Sequence, residues 1–204
     1  MHMQELRKYS YCSVNIALAV FQAAVFALCM ITGDRLYIAG RCGTDLVLVQ
    51  KEYWRLLTSV FLHSGLYHLG SNLIAQVFLG NAVERNLGHI KYLILYIVSG
   101  VGGNIISVLY DRAQGVNTYS VGASGAVFGV MGALIVLIIK GRKKLRTGSS
   151  MLVRAGFAVF YAVYAGFRTP YTDNAAHLGG LAFGIALGVL LTITLDDVDL
   201  RDLR

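Results

Sequence analysis

One serine, two histidines and an asparagine stand out in this chain, because each sits in or beside a long apolar run. Ser124 lies in Y-S-V-G-A-S-G-A-V-F-G and His177 in D-N-A-A-H-L-G-G-L-A-F-G, while His68 and Asn72 lie in H-S-G-L-Y-H-L-G-S-N. A serine hydroxyl becomes nucleophilic when a base takes its proton, and imidazole is the usual base. Ser124 falls at a helix amino terminus, where free backbone N–H groups and the positive dipole end favour a developing oxyanion. His68 and Asn72, four apart and so on one helical face, add two side-chain donors. Nucleophile, base and oxyanion hole together make an acyl-transfer site. The acids between the termini are Asp34, Asp45, Glu52, Glu84, Asp111 and Asp173. Only Asp173 is near, four residues before His177, so a dyad is expected rather than a triad. Phe128, one turn after Ser124, can pack on the imidazole and orient it without charge.

The elements that must position these residues are membrane helices. Of 204 residues, 56% are hydrophobic and 14% charged, and the mean hydropathy is +0.60. A soluble domain of this size needs more charge to stay dissolved. Apolar residues come in runs near 14–31, 64–83, 90–110, 124–139, 151–167 and 173–195, each close to the length a bilayer requires. The first run is too long for a signal-peptide core and lacks a clean cleavage site, so it is expected to be retained. Residues 33–62 form a long interfacial loop. There Tyr53 and Trp54 suit the membrane surface, and Arg55 is expected to snorkel. Cys12, Cys29 and Cys42 have no metal spacing and are taken as structural. No metal or other cofactor is expected.

Charge gives the orientation. The formal net charge is +7, which in a soluble protein would suggest nucleic acid. Here topology explains it, and the basic stretch Lys140 to Arg146 suits anionic lipid. With the amino terminus inside, twelve Lys and Arg fall in inner segments and six in outer ones, so both termini are expected to be cytoplasmic. The three polar clusters then open even-numbered helices, all at the outer end. Sixteen residue steps, about 24 Å, separate Ser124 from Lys140 and His68 from Glu84, and nineteen, about 28 Å, separate His177 from Asp196, a difference that helix tilt absorbs. The clusters therefore lie at similar depth, somewhat below the outer surface, in a cavity open to the non-cytoplasmic side. Gly125 and Gly129, and Gly180, Gly184 and Gly188, repeat at four-residue spacing that lets two helix backbones approach closely.

The set W-R, H-x-x-x-N, G-A-S-G and A-H-x-x-G-x-x-x-G, in this order and on these helices, resembles the rhomboid family of intramembrane serine proteases. The resemblance spans essentially all 204 residues and implies a single, all-α domain of six transmembrane helices. It makes Ser124 and His177 the catalytic dyad. His68, Asn72 and the Ser124 backbone N–H stabilise the oxyanion. Trp54 and Arg55 match a structural first-loop motif, and Gly122, Gly125, Gly180 and Phe128 fall among supporting positions. Phe128 stands where some members carry Tyr, which loses a hydroxyl and keeps the ring. Substrates of the family are single-span membrane proteins cut in or near the span. Two other classes compete. A catalytically silent relative that binds or escorts transmembrane segments would usually lack the Ser or the His. A small transporter with a proton-relaying His would more often carry internal repeats and membrane acids.

Overall fold

A computed structural model of the chain describes residues 12–141, 148–169, 172–195 and 198. In order the elements are α1 (Ser13–Thr32), α2 (Asp34–Gly40), β1 (Cys42–Gly43), α3 (Thr44–Leu48), α4 (Arg55–Thr58), a 3-10 turn (Ser59–Phe61), α5 (Leu66–Leu87), α6 (His89–Gln114), β2 (Tyr119–Ser120), α7 (Ser124–Gly141), α8 (Gly148–Arg168) and α9 (Asn174–Thr192). The fold is an all-α polytopic bundle, and the long helices among the described residues fall on the apolar runs. Helices α1, α6, α7 and α9 are long and apolar enough to cross a membrane. Helices α5 and α8, with 22 and 21 residues, have the length and a more polar composition. Most of the basic stretch, and Pro170 in the loop before α9, lie outside the described residues.

Gln76, Asn81 and Glu84 of α5 bond to other helices, which accounts for much of its polar composition. Cys12, before α1, offers no side-chain cap. The Glu84 carboxylate of α5 serves instead, accepting from the backbone N–H of Val14 (3.0 Å) and Asn15 (2.8 Å). A carboxylate there also meets the positive end of the helix dipole. His89, opening α6, pairs with the same carboxylate. Between these ends, Asn15 Nδ2 donates to Asn81 Oδ1 (2.8 Å) and Tyr92 Oη to Asn15 Oδ1 (2.7 Å). Gln22 Nε2 and Tyr96 Oη both donate to Gln76 Oε1, at 2.7 and 2.9 Å. Unmade hydrogen bonds are costly in a membrane interior, so this network ties α1, α5 and α6 into one unit. Gly88, at φ 82°, makes the turn between α5 and α6.

Helix α7 occupies the centre, packed against α5, α6, α8 and α9. A continuous stretch from Gly125 to Leu134 is buried. Val127, Val130, Leu134, Leu137 and Ile138 join Leu95, Tyr96 and Val83 in the main core.

The segment after α1 is held more firmly than a surface loop. β1 pairs antiparallel with β2, Cys42 opposite Ser120 and Gly43 opposite Tyr119. This brings the connections after α1 and after α6 to the same end of the bundle. Arg41 lies over the Tyr119 ring, 3.8 Å from its centroid. Tyr53 and Trp54 are exposed, as expected of interfacial aromatics. Arg55 does not snorkel. It is buried, and its Nη1 donates to the carbonyls of Ile38 (2.8 Å) and Arg41 (3.1 Å) while Nε pairs with Glu52. A fork of fixed donors reaches several acceptors at once, so this arginine ties the end of α2 to α4.

Helix α8 packs on α7 and α9. Its aromatics, Phe157, Phe160, Tyr161, Tyr164 and Phe167, are 53–70% exposed. They do not pack between helices. The smaller Leu152 and Ala155 face the core instead.

Candidate active site

Ser124 is the first residue of α7, and His177 lies in the first turn of α9. The two helices meet backbone to backbone beside them. A Cβ built on Gly180 would stand 2.0 Å from the Gly125 carbonyl oxygen, and one on Gly184 would stand 2.0 Å from that of Gly129. A Cβ on Gly125 would lie 3.4 Å from the Ala176 carbonyl oxygen. Ser124 and His177 thus flank the closest contact of the seam. His177 is buried, and its ring stacks on Phe128 with centroids 4.4 Å apart and planes 11° apart. Its Nδ1 has no hydrogen-bond partner, so the stack, rather than an acid in contact, orients the imidazole.

His68 approaches from α5. A Cβ on Gly122 would lie 2.7 and 2.8 Å from His68 Cε1 and Nε2, and 3.8 Å from Ser124 Oγ. Gly122 also has φ 134°, which L side chains avoid, so backbone conformation and space both require glycine. Its N–H donates to the Ser59 carbonyl at 2.9 Å, fixing the strand that leads into α7. His68 Nδ1 lies 3.1 Å from Ser64 Oγ. If that nitrogen accepts the hydroxyl proton, Nε2 carries a hydrogen on the side facing Gly122 and Ser124. Asn72 is buried and donates through Nδ2 to the His68 carbonyl at 2.9 Å, leaving its second amide hydrogen uncommitted. Trp54 stands exposed just before α4, and Arg55 at its start ties the loop through its guanidinium.

His63, in the turn before α5, is a further neighbour of the site, and nothing local in the sequence marks it as one. It is 4% exposed, with neither ring nitrogen paired, and its ring meets that of His68 edge-on at 5.2 Å. Burial first, then the nearby His68, brings its pKa down to about 4, so it is neutral at pH 7. It also lines a cavity of about 320 Å³ with Phe26, Met30, Asp34, Tyr37 and Ser64. Cys42 is buried in β1, and burial followed by the charge of Asp173 pushes its thiol up to about 12. It supplies no thiolate. No grouping of His, Cys, Asp and Glu suited to a metal ion occurs among the described residues.

These features define a polytopic helical membrane protein with a serine and two imidazoles gathered at one end of its bundle. Residues 50–193 match the Rhomboid domain, and the chain belongs to the rhomboid family. It is 34% identical over 154 residues to RHOMBOID-like protein 1 of Arabidopsis thaliana, covering 76% of this chain and 38% of that relative. It is 38% identical over 140 residues to the rhomboid protease GluP of Bacillus subtilis (strain 168), covering 68% of this chain and 26% of the protease. An inactive RHOMBOID-like protein 8 of Arabidopsis thaliana is 34% identical over 129 residues, 63% of this chain and 35% of that protein. The chain thus spans less than half the length of these relatives.

Proposed function

We propose that this chain is an intramembrane serine endopeptidase that cuts membrane proteins in or near a transmembrane segment. The observation that carries this reading is the α7–α9 seam, which gathers the start of the Ser124 helix and the Phe128-stacked His177. In this mechanism His177 Nε2 takes the Ser124 proton as Oγ attacks the scissile carbonyl carbon. The oxyanion is held by the Ser124 backbone N–H, His68 Nε2–H and Asn72 Nδ2–H. His177 then protonates the leaving amine, and the acyl-enzyme forms. Water, deprotonated by His177, attacks the acyl carbon; the bond to Oγ breaks, the imidazolium returns its proton to Ser124, and the second product leaves. No cofactor takes part.

The same reading makes the chain one membrane domain of six spans with both termini cytoplasmic. The site then opens on the opposite side, and substrates reach it sideways from lipid. Ser124→Ala and His177→Ala should each abolish cleavage of a reporter transmembrane protein while leaving a folded, inserted chain. A fluorophosphonate should label the unaltered protein at Ser124 and at no other serine. The match to an inactive relative gives the competing reading, a silent binder of transmembrane segments. An unaltered protein that neither cleaves nor takes the label, yet captures the reporter, would establish that alternative.

A further inference from the structure

This inference rests on the dyad above and concerns what holds the imidazole in place. With Nε2 as the base, His177 Nδ1 carries a proton and has no acceptor. Asp173 lies one turn earlier, yet both its carboxylate oxygens are committed elsewhere. Oδ1 accepts from the Ala176 backbone N–H at 2.9 Å, capping α9. Oδ2 accepts from Ser107 Oγ of α6 at 2.6 Å. Ser107 is itself buried.

Just below that bond, α6 and α9 leave each other no slack. A Cβ on Gly103 would stand 2.6 Å from the Ala176 carbonyl oxygen, and one on Gly179 would stand 2.8 Å from Ile106 Cβ. The glycines prevent α9 from sinking or tilting, and the Ser107–Asp173 bond fixes its first turn. The acid that α6 itself carries at this end, Asp111, is bound by Thr118 and by Thr44. That leaves Asp173 as the carboxylate on the α9 turn that carries the base.

We propose that Asp173, clamped by Ser107, is a positioning residue that sets the His177 ring on Phe128. Through space it also supplies the negative charge that a triad acid supplies by contact. The charge matters when His177 becomes an imidazolium, because an opposite charge nearby stabilises that form.

The test uses the full chain in detergent micelles, with kcat, KM, fluorophosphonate labelling rate and thermal midpoint measured for each variant. Asp173→Asn keeps a good helix cap and an acceptor for Ser107, and removes only the charge. It should keep Tm and KM and lower kcat and labelling on the order of ten-fold. Ser107→Ala keeps charge and cap and frees the clamp. It should lower kcat about five-fold with KM unchanged, as small misplacements of a reacting group do. Asp173→Ala, which removes cap and charge together, should lower both kcat and Tm. Wild-type kcat in both Asp173→Asn and Ser107→Ala would overturn the proposal, as would losses confined to Tm or KM. Labelling that survives in His177→Ala would instead overturn the dyad itself.

Discussion

Replacing Gly180 by Ala tests the link between helix packing and chemistry most directly. The added methyl would stand 2.0 Å from the Gly125 carbonyl oxygen and 3.0 Å from Gly125 Cα. Ordinary contact begins near 3.4 Å, so α7 and α9 must separate locally by about 1.4 Å or one helix must turn. The obstacle is backbone, which cannot swing aside as a side chain does. Overpacking of this kind costs about 1–3 kcal/mol, and Tm should fall accordingly. The shift also falls next to Ser124 and within a turn of His177. A misplacement of about 1 Å typically costs on the order of 100-fold in rate. Gly184→Ala makes an equally short contact, 2.0 Å from the Gly129 carbonyl oxygen, but one turn deeper. It should match the loss of Tm and spare more of the activity. Gly156→Ala on α8 meets open space and should leave both unchanged or gain slightly, up to about 1 kcal/mol. The measurements are thermal unfolding in micelles and initial rates on a reporter transmembrane substrate. Unchanged Tm in Gly180→Ala, or an activity loss no greater than in Gly184→Ala, would refute the reasoning.

Three further outcomes are expected. His68→Ala and Asn72→Ala should each lower kcat about 100- to 1,000-fold with little change in KM, whereas a packing role alone would lower Tm and leave the kcat of the folded fraction intact. Arg55→Lys should destabilise the loop by about 2–3 kcal/mol, because an ammonium cannot reach Ile38, Arg41 and Glu52 together; unfolding and limited proteolysis between α2 and α4 measure it. His63 is neutral in the fold down to about pH 4, while the unfolded chain protonates it near 6.5. Its contribution is therefore complete above pH 6.5 and lost progressively as pH falls toward 4, by up to about 3 kcal/mol. His63→Phe should flatten the fall of Tm between pH 7 and pH 4.5 relative to the unaltered protein.

The long helices were legible because a bilayer demands about 20 apolar residues per span, a signal spread over many positions. The close approach of α7 and α9, the helices that carry Ser124 and His177, was legible from glycine spacing, since Gly125, Gly180 and Gly184 have few other uses at that interval. Depth along a helix was estimated from rise alone. What sequence did not disclose depends on partners far apart in the chain. Arg55 looked like a snorkelling interfacial residue, because the carbonyls it binds, those of Ile38 and Arg41, belong to a loop whose path no periodicity encodes. The burial of His63 and its ring contact with His68 have no local signal, because they depend on how the turn before α5 is packed. The α8 aromatics carry a strong apolar signal that is the same for a helix face turned to lipid as for one turned to protein. The Asp173 cap had a local signature, an acid just before N-A-A-H. Its bond to Ser107 had none.

Under the proposed reading, the distribution of fixed and loose contacts bears on how a substrate arrives. Glu84 and the Asn15, Gln22, Gln76, Tyr92 and Tyr96 network hold α1 to α5 and α6 by buried hydrogen bonds. Backbone contacts at Gly103, Gly129, Gly180 and Gly184 hold α6, α7 and α9. Moving any of these five helices would strand buried polar groups or open a close-packed seam, at a cost of several kcal/mol. Helix α8 has neither kind of tie at its aromatic face, which points away from the bundle. Its displacement mainly exchanges contacts with α7 and α9 for contacts with lipid, which is nearly as apolar. A transmembrane segment approaching Ser124 therefore meets the least resistance where α8 borders the bundle, while the frame carrying serine, imidazole and oxyanion donors stays in register. On this argument the rigid frame sets the chemistry and one weakly tied helix sets access.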